Sequence, residues 1–287
     1  MATTTAGAFT EFVETLKPTD SQWETIHARR TSNHNKLVEA FPESGSLTFD
    51  RSSLIGSADR GTIIAPPEAV DVIAVFNPAG FAQYRADSQK FIERVREALD
   101  VDAQIAGTRG QAIRLFHAGG PIADITPGFA RKGGGFLIPR ADGGWEATEP
   151  DLHNTYVSDI HAALSYHLKP MARLIKAWSR AHNQPLTTFH IECMLATTFT
   201  SLGTNYRDAS WQFFDSASAT FRVDDPAGHT GDLAAKLTLT QTQELKKSFA
   251  SARDRARSAL NAEASDDHED AIRLWRMVFG TEFPGYG

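Results

Sequence analysis

The sequence predicts an α+β protein whose strand-rich half, residues 1–150, precedes a helical half, residues 151–287. Three observations carry this expectation. Short apolar runs bounded by Gly and Pro crowd the segment before Pro150. From Asp151 onward apolar residues recur at helical spacing instead. Two helical patterns stand ahead of the first strand, broken apart by Pro18.

In chain order, Phe9, Phe12, Val13 and Leu16 have the spacing of one helix face. Thr19 is the expected N-cap of a long helix reaching Phe41, with Trp23, Ile26, Leu37, Val38 and Phe41 inward and Pro42 as its stop. Residues 47–49 are expected as a strand that enters a turn at Gly56-Ser57. The run 70–76 between Pro67 and Asn77-Pro78 has the length and composition of a buried strand. Residues 87–99 are amphipathic, with Phe91, Ile92, Val95 and Leu99 on one side. Residues 111–117 and 122–126 are expected to pair across Gly119-Gly120-Pro121, the second strand stopping at Pro127-Gly128. Arg114 and His117 on the first of these are exposed strand-face residues or nucleotide contacts. Residues 131–135 are basic and glycine-rich, and a hairpin follows around Asp142-Gly143-Gly144. Helices are expected over 151–168, from Pro170 past Trp178, over 188–202, 206–216, 233–260 and 266–279, with a turn at 223–228.

Composition limits the function. The chain has 287 residues, a net charge of -6 and one cysteine, Cys193. That length accommodates two modest domains. A single cysteine excludes an internal disulfide, argues against a cysteine-based zinc site and fits a reducing cytoplasm. The acidic balance argues against wholesale binding of long nucleic acid. No apolar run is long enough for a membrane span, and no basic region followed by an apolar core marks a secretory signal. The ten histidines form no metal-protease pattern.

One residue in the 70–76 run is out of place for a buried strand. Asp71 is a carboxylate among Val70, Val72, Ile73, Ala74, Val75 and Phe76, where it requires a compensating charge. A structural ion pair satisfies that requirement, and so does a metal ion. Gly56-Ser57 favours the metal, because Gly permits close backbone approach while a Ser hydroxyl and neighbouring N–H groups can hold a phosphate. Asp124 supplies a second acid in a similar strand. Two acids on neighbouring strands beside such a turn suit a divalent cation that carries a nucleoside triphosphate.

The ordered set Gly56-Ser57-x-x-Arg60-Gly61-Thr62, a strand acid, and Asp124 with Pro127 three positions on resembles the nucleotidyltransferases related to DNA polymerase β. Within these it is most similar to the bacterial CD-NTases, the cyclic-oligonucleotide synthases related to animal cyclic GMP-AMP synthase and oligoadenylate synthase. The segments Leu174-Ile175-Lys176-Ala177-Trp178 and Thr187-Thr188-Phe189-His190-Ile191-Glu192 also fit, as does the ending from Leu274-Trp275-Arg276 to Phe283-Pro284. The resemblance implies a polymerase-β-like nucleotidyltransferase sheet within 1–150, packed against a helical domain, 151–287, that closes a nucleotide cleft. It implies that Asp71 and Asp124 bind Mg²⁺ or Mn²⁺, and that Gly56, Ser57, Arg60, Thr62, Lys176 and Thr188 contact the nucleotide. ATP or other NTPs would be the substrates, joined into a cyclic di- or trinucleotide that signals phage infection. A regulatory or conjugating protein partner is also implied. Conjugation through Gly287 is one such possibility, with a flexible tail the plainer reading of Pro284-Gly285-Tyr286-Gly287.

The sequence departs from the family at one position. The family places an acid two residues before Asp71, where this chain has Ala69. Glu68 cannot replace it, because adjacent strand residues face opposite sides. Two metal ions are expected only with an acid at position 69. An inactivating acid-to-Ala exchange accounts for the otherwise complete set, and leaves a chain that binds nucleotide but turns over very slowly. The alternatives are a nucleotidyltransferase that modifies RNA, protein or a small molecule, and a non-catalytic nucleotide-binding protein.

Overall fold

In the computed structural model, residues 2–100, 105–109, 111–117 and 119–287 are described, and they divide into two compact units. One comprises Pro18–Gly61 and Pro66–Asn154; the other comprises Met1–Lys17, Thr62–Ala65 and Thr155–Gly287.

The first unit holds helix α2 (Asp20–Ala40), strand β1 (Phe49–Leu54), a four-residue helix α3 (Gly56–Asp59), β2 (Ala69–Phe76) and α4 (Ser88–Leu99). It continues with β3 (Ile105–Arg109), β4 (Ala112–Leu115), β5 (Ile122–Ala130), β6 (Phe136–Pro139) and β7 (Trp145–Thr148). The strands form one mixed sheet in the order β1-β2-β5-β4-β3, with β6 pairing β5 and β7. Among the described residues of this sheet, β2 and β5 pair in parallel and the other pairs are antiparallel. Val72, Ala74 and Phe76 of β2 join Ala123, Ile125 and Phe129 of β5 and Phe91, Ile92 and Val95 of α4 in one core. Alternation then assigns Ala69, Asp71 and Asp124 to the opposite sheet face, the face on which Ile73 and Val75 meet Phe136 and Ile138.

Several expectations are met in detail. Thr19 and Gln22 form a capping box at the start of α2. The hairpin across Gly119-Gly120-Pro121 pairs Ile113 with Ile125 and Leu115 with Ala123. Others are corrected. Val38 is 50% exposed, because Leu37 and Phe41 lie four residues apart on the buried stripe and Val38 lies beside it. The strand before the turn runs over Phe49–Leu54 rather than 47–49, a polar edge strand with outward residues Asp50 and Arg51. Strand β5 continues through Pro127 and Gly128 to Ala130. Residues 126–128 fall between the stretch paired with β4 and the stretch paired with β6, so proline interrupts no ladder on that edge.

The second unit contains α1 (Thr5–Thr15), most of α5 (Pro150–Ala163), α6 (Leu168–Ala181), α7 (Thr188–Thr198), α8 (Tyr206–Ala219), α9 (Leu239–Ala264) and α10 (His268–Phe279). Its core packs Trp178, Phe213, Phe214, Phe249, Trp275 and Phe279. The sequence groups α1 with the sheet, but α1 belongs to this helical unit. Phe9 meets Trp275 edge-on at 4.9 Å between ring centroids, and Phe12 meets Phe283 at 5.1 Å. The helix expected over 151–168 ends at Ala163, where Ser165 and Tyr166 take left-handed backbone before α6 begins. The chain end is pinned: the Ala2 N–H donates to the Gly285 carbonyl at 3.0 Å, and Ala2 bridges Tyr286.

Candidate active site

The candidate site in the sheet unit is built from adjacent strands. Asp71 of β2 and Asp124 of β5 are register partners, so both carboxylates leave the same face of a parallel pair. Ala69 lies two residues before Asp71 on that face, opposite Ile122. An acid at position 69 would stand beside Asp71; a methyl group stands there now.

The turn meets this strand directly. The Ile55 N–H donates to the Asp71 carbonyl at 3.0 Å. Gly56 has φ +68°, and a Cβ there would collide with Asp71 Oδ2 and approach its Cγ to 3.2 Å. Glycine is therefore required twice, by the left-handed backbone and by the carboxylate against it. Ser57 is nearly buried in α3, and Arg60, which caps α3, is buried as well.

Asp124 is engaged by Arg114, its partner across the β4–β5 hairpin. Arg114 Nε donates to Oδ1 at 2.8 Å and Nη2 to Oδ2 at 2.7 Å, a two-pronged pair. The Asp124 side chain is 5% exposed and that of Arg114 26%. The hydrogen bonds to Asp124 hold the Arg114 pKa above its ordinary value; partial burial opposes this, and the charges of Asp124 and Asp71 add to it.

Lys176, Thr62 and Thr188 belong to the helical unit. Lys176 falls outside the Met171, Leu174, Ile175 and Trp178 stripe, the position of a solvated lysine, yet it is buried. Its ammonium donates to Glu192 Oε1 at 2.6 Å, to Thr62 Oγ1 at 2.8 Å and to the Thr62 carbonyl at 3.1 Å. The Thr62 hydroxyl in turn donates to Glu192 Oε1. Arg173 Nε donates to the Ile63 carbonyl at 3.3 Å and Arg180 Nη2 to the Ala65 carbonyl at 2.7 Å. Positions 173, 176 and 180 of α6 thus clasp the short segment Thr62–Ala65. Thr188 is exposed at the first position of α7, and Thr187 caps that helix by accepting from the His190 N–H.

The structure therefore joins Gly56, Ser57, Asp71, Asp124 and position 69 in one unit, and joins Lys176 to Thr62 in the other. Sequence reasoning offers Arg114 as an exposed strand-face residue or a nucleotide contact, and the structure instead pairs it with Asp124; Glu192 is the structural acid that holds Lys176. Hairpin register around Gly119-Gly120-Pro121 is the signal that pairs Arg114 with Asp124.

The donor set suits a divalent cation only in part. Among the described residues no cluster of three or more His, Cys, Asp or Glu side chains forms a metal site. Two in-register carboxylates suit one ion whose remaining ligands come from nucleotide phosphates and water. A second ion sharing a third carboxylate has no ligand at Ala69.

Comparison with known proteins gives a concordant result. Residues 1–160 match the model of the Second Messenger Oligonucleotide or Dinucleotide Synthetase domain, SMODS. A cyclic AMP-AMP-AMP synthase from an Acinetobacter strain is 25% identical over 303 residues, covering 96% of this chain and 84% of that protein. The fold is similar to that of Vibrio cholerae DncV, a cyclic AMP-GMP synthase solved with the linear intermediate 5′ pppA(3′,5′)pG. That match has a TM-score of 0.78 and 13% identity, and covers 95% of this chain and 94% of DncV. Escherichia coli CdnC, solved in complex with a HORMA protein, aligns with a TM-score of 0.76 and 19% identity over 97% of this chain and 98% of that one. The matched domain spans more than half of the sequence, and the mixed sheet with its helices has the polymerase-β-like plan of those structures. The chain belongs to the SMODS family, the CD-NTase group of nucleotidyltransferases that includes the cyclic-oligonucleotide synthases.

Proposed function

We propose that this protein joins nucleoside triphosphates into a cyclic di- or trinucleotide messenger for anti-phage signalling when position 69 is acidic, and that the Ala69 form binds nucleotide but turns over very slowly. The observation that carries this reading is the in-register placement of Asp71 and Asp124, with the Gly56 turn against Asp71. Mg²⁺ or Mn²⁺, when bound, would lower the pKa of the attacking ribose hydroxyl and neutralise the triphosphate. Asp71 and Asp124 would hold the metal, and the restored acid at 69 would complete a two-ion set. Gly56 and Ser57 would receive the phosphates through the turn, with Arg60 as a neighbouring cation. In this reading Lys176 holds Thr62, in the segment that follows the turn in sequence, and Thr188, exposed at the first position of α7, is a nucleotide contact. The setting is cytoplasmic, and a HORMA-type regulatory protein is the partner class suggested by CdnC. No helix among the described residues is long and apolar enough to cross a membrane.

The test compares this chain with Ala69→Asp on labelled NTPs with Mg²⁺ or Mn²⁺, followed by phosphatase. A phosphatase-resistant product from Ala69→Asp alone supports the proposal, and mass spectrometry then gives bases and ring size. Equal turnover by the two proteins refutes the inactivated state. A product linked to added RNA, protein or small molecule replaces cyclisation with transfer.

Ala69 also favours one other reading, a nucleotide-binding protein that does no chemistry. Absence of product from Ala69→Asp despite nucleotide binding, with a HORMA-type regulatory protein and transfer acceptors also supplied, selects it.

A further inference from the structure

We propose that Arg114 is a resident counter-cation of the Asp124 carboxylate in the Asp71–Asp124 pair, and that a divalent ion enters this site by displacing it. The inference rests on reading these two acids as the metal site.

Two carboxylates in register on adjacent parallel strands lie near one another on a partly buried face. Without a cation they would repel and lose hydration together. Arg114 answers both problems, because its fork covers both oxygens of Asp124 at 2.7 and 2.8 Å and its charge also interacts with that of Asp71. A divalent ion drawn to the same oxygens meets a fixed positive charge beside them, and the two cations oppose each other. The guanidinium has an exit. Its side chain is 26% exposed, whereas Ile113 and Leu115 on either side anchor β4 in the core. Arg114 can therefore turn away while the strand keeps its place.

A structural ion pair and a displaceable counter-cation predict opposite effects on metal binding. The probe is Mn²⁺ alone, titrated by electron paramagnetic resonance into the full chain and into Arg114→Met, Arg114→Lys and Asp124→Asn. Arg114→Met is expected to bind Mn²⁺ about tenfold tighter or more, since one opposing charge at contact range is removed. Its melting temperature is expected to fall in EDTA and to recover with Mn²⁺. Arg114→Lys, which keeps the charge but loses the fork, is expected to lie between and guards against a poorly folded Met variant. Equal affinity in the parent and Arg114→Met, including no binding by either, overturns the proposal, as does weaker binding in Arg114→Met. Asp124→Asn separates the two failures. If it binds Mn²⁺ as the parent does, the metal-site reading itself falls; if it abolishes binding while Arg114→Met changes nothing, only the counter-cation role falls.

Discussion

Lys176 and Glu192 form an ion pair at 2.6 Å whose side chains are 3% and 0% exposed. Removing one partner from such a pair leaves a buried charge without its counter-charge. Lys176→Met is expected to lose about 3–5 kcal/mol of stability in urea denaturation, and Lys176→Met with Glu192→Leu to regain most of it. Parent-like stability in the single variant would remove the structural role.

Gly56 and Gly143 both have positive φ, +68° and +85°, but only Gly56 has a side chain against its missing Cβ. Gly143→Ala carries the left-handed backbone penalty of about 1–2 kcal/mol. Gly56→Ala carries that penalty and a displaced Asp71. It is expected to melt lower than Gly143→Ala and, in a nucleotide-binding titration, to bind more weakly.

Restoring the acid has a thermodynamic signature separate from activity. Ala69→Asp places a third carboxylate on the face that holds Asp71 and Asp124. In EDTA it is expected to be less stable than the parent by about 1 kcal/mol, from like-charge repulsion at partly solvated range. Mg²⁺ with ATP should reverse the order of the two melting temperatures.

Acid weakens the helical unit through His161. Burial, together with Lys169, Arg173 and His167, lowers its pKa from 6.5 to about 4. Between those values the unfolded chain takes up a proton that the folded chain refuses, so stability declines as pH falls from 6.5 toward 4. Burial also lowers the pKa of His190, against its hydrogen bond to the Phe221 carbonyl, and acts in the same direction. Melting temperatures from pH 7 to 4.5 should fall more steeply for the parent than for His161→Gln.

Aromatic rings hold helix α1 in the helical unit. Phe12 is fully buried and packs on Phe279 and Phe283. Phe12→Ala is expected to destabilise the chain by about 3–5 kcal/mol in chemical denaturation. A loss below 1 kcal/mol would mean that α1 frays independently of the helical unit.

Local signals identify much of this molecule. The Thr19 capping box, the apolar run around Asp71 and the turns at Gly119-Gly120 and Asp142-Gly143-Gly144 each carry their information within a few residues. Asp71 and Asp124 stand out because an acid in an apolar strand is anomalous wherever its partner lies. Lys176 was not legible as a buried residue, because its burial depends on a segment more than a hundred residues earlier, where Thr62 supplies the oxygens. Proline normally ends a strand, and Pro127 does not because β5 exchanges one partner for another around it. The N-terminal helix looks like an appendage of the sheet until the C-terminal aromatics are placed beside it.

That last arrangement sets an order of events on the ribosome. The sheet unit ends at Asn154, so its strands can pair while the later helices are still being made. Phe9 and Phe12 emerge long before their ring partners Trp275, Phe279 and Phe283. At about 5–20 residues per second, α1 waits roughly ten to fifty seconds for these aromatic partners, after α6 and α8 have supplied the rest of its surface. Until then the apolar face of α1 that meets those rings lacks its cover. Completion of the helical unit accordingly waits for synthesis of residues 275–283.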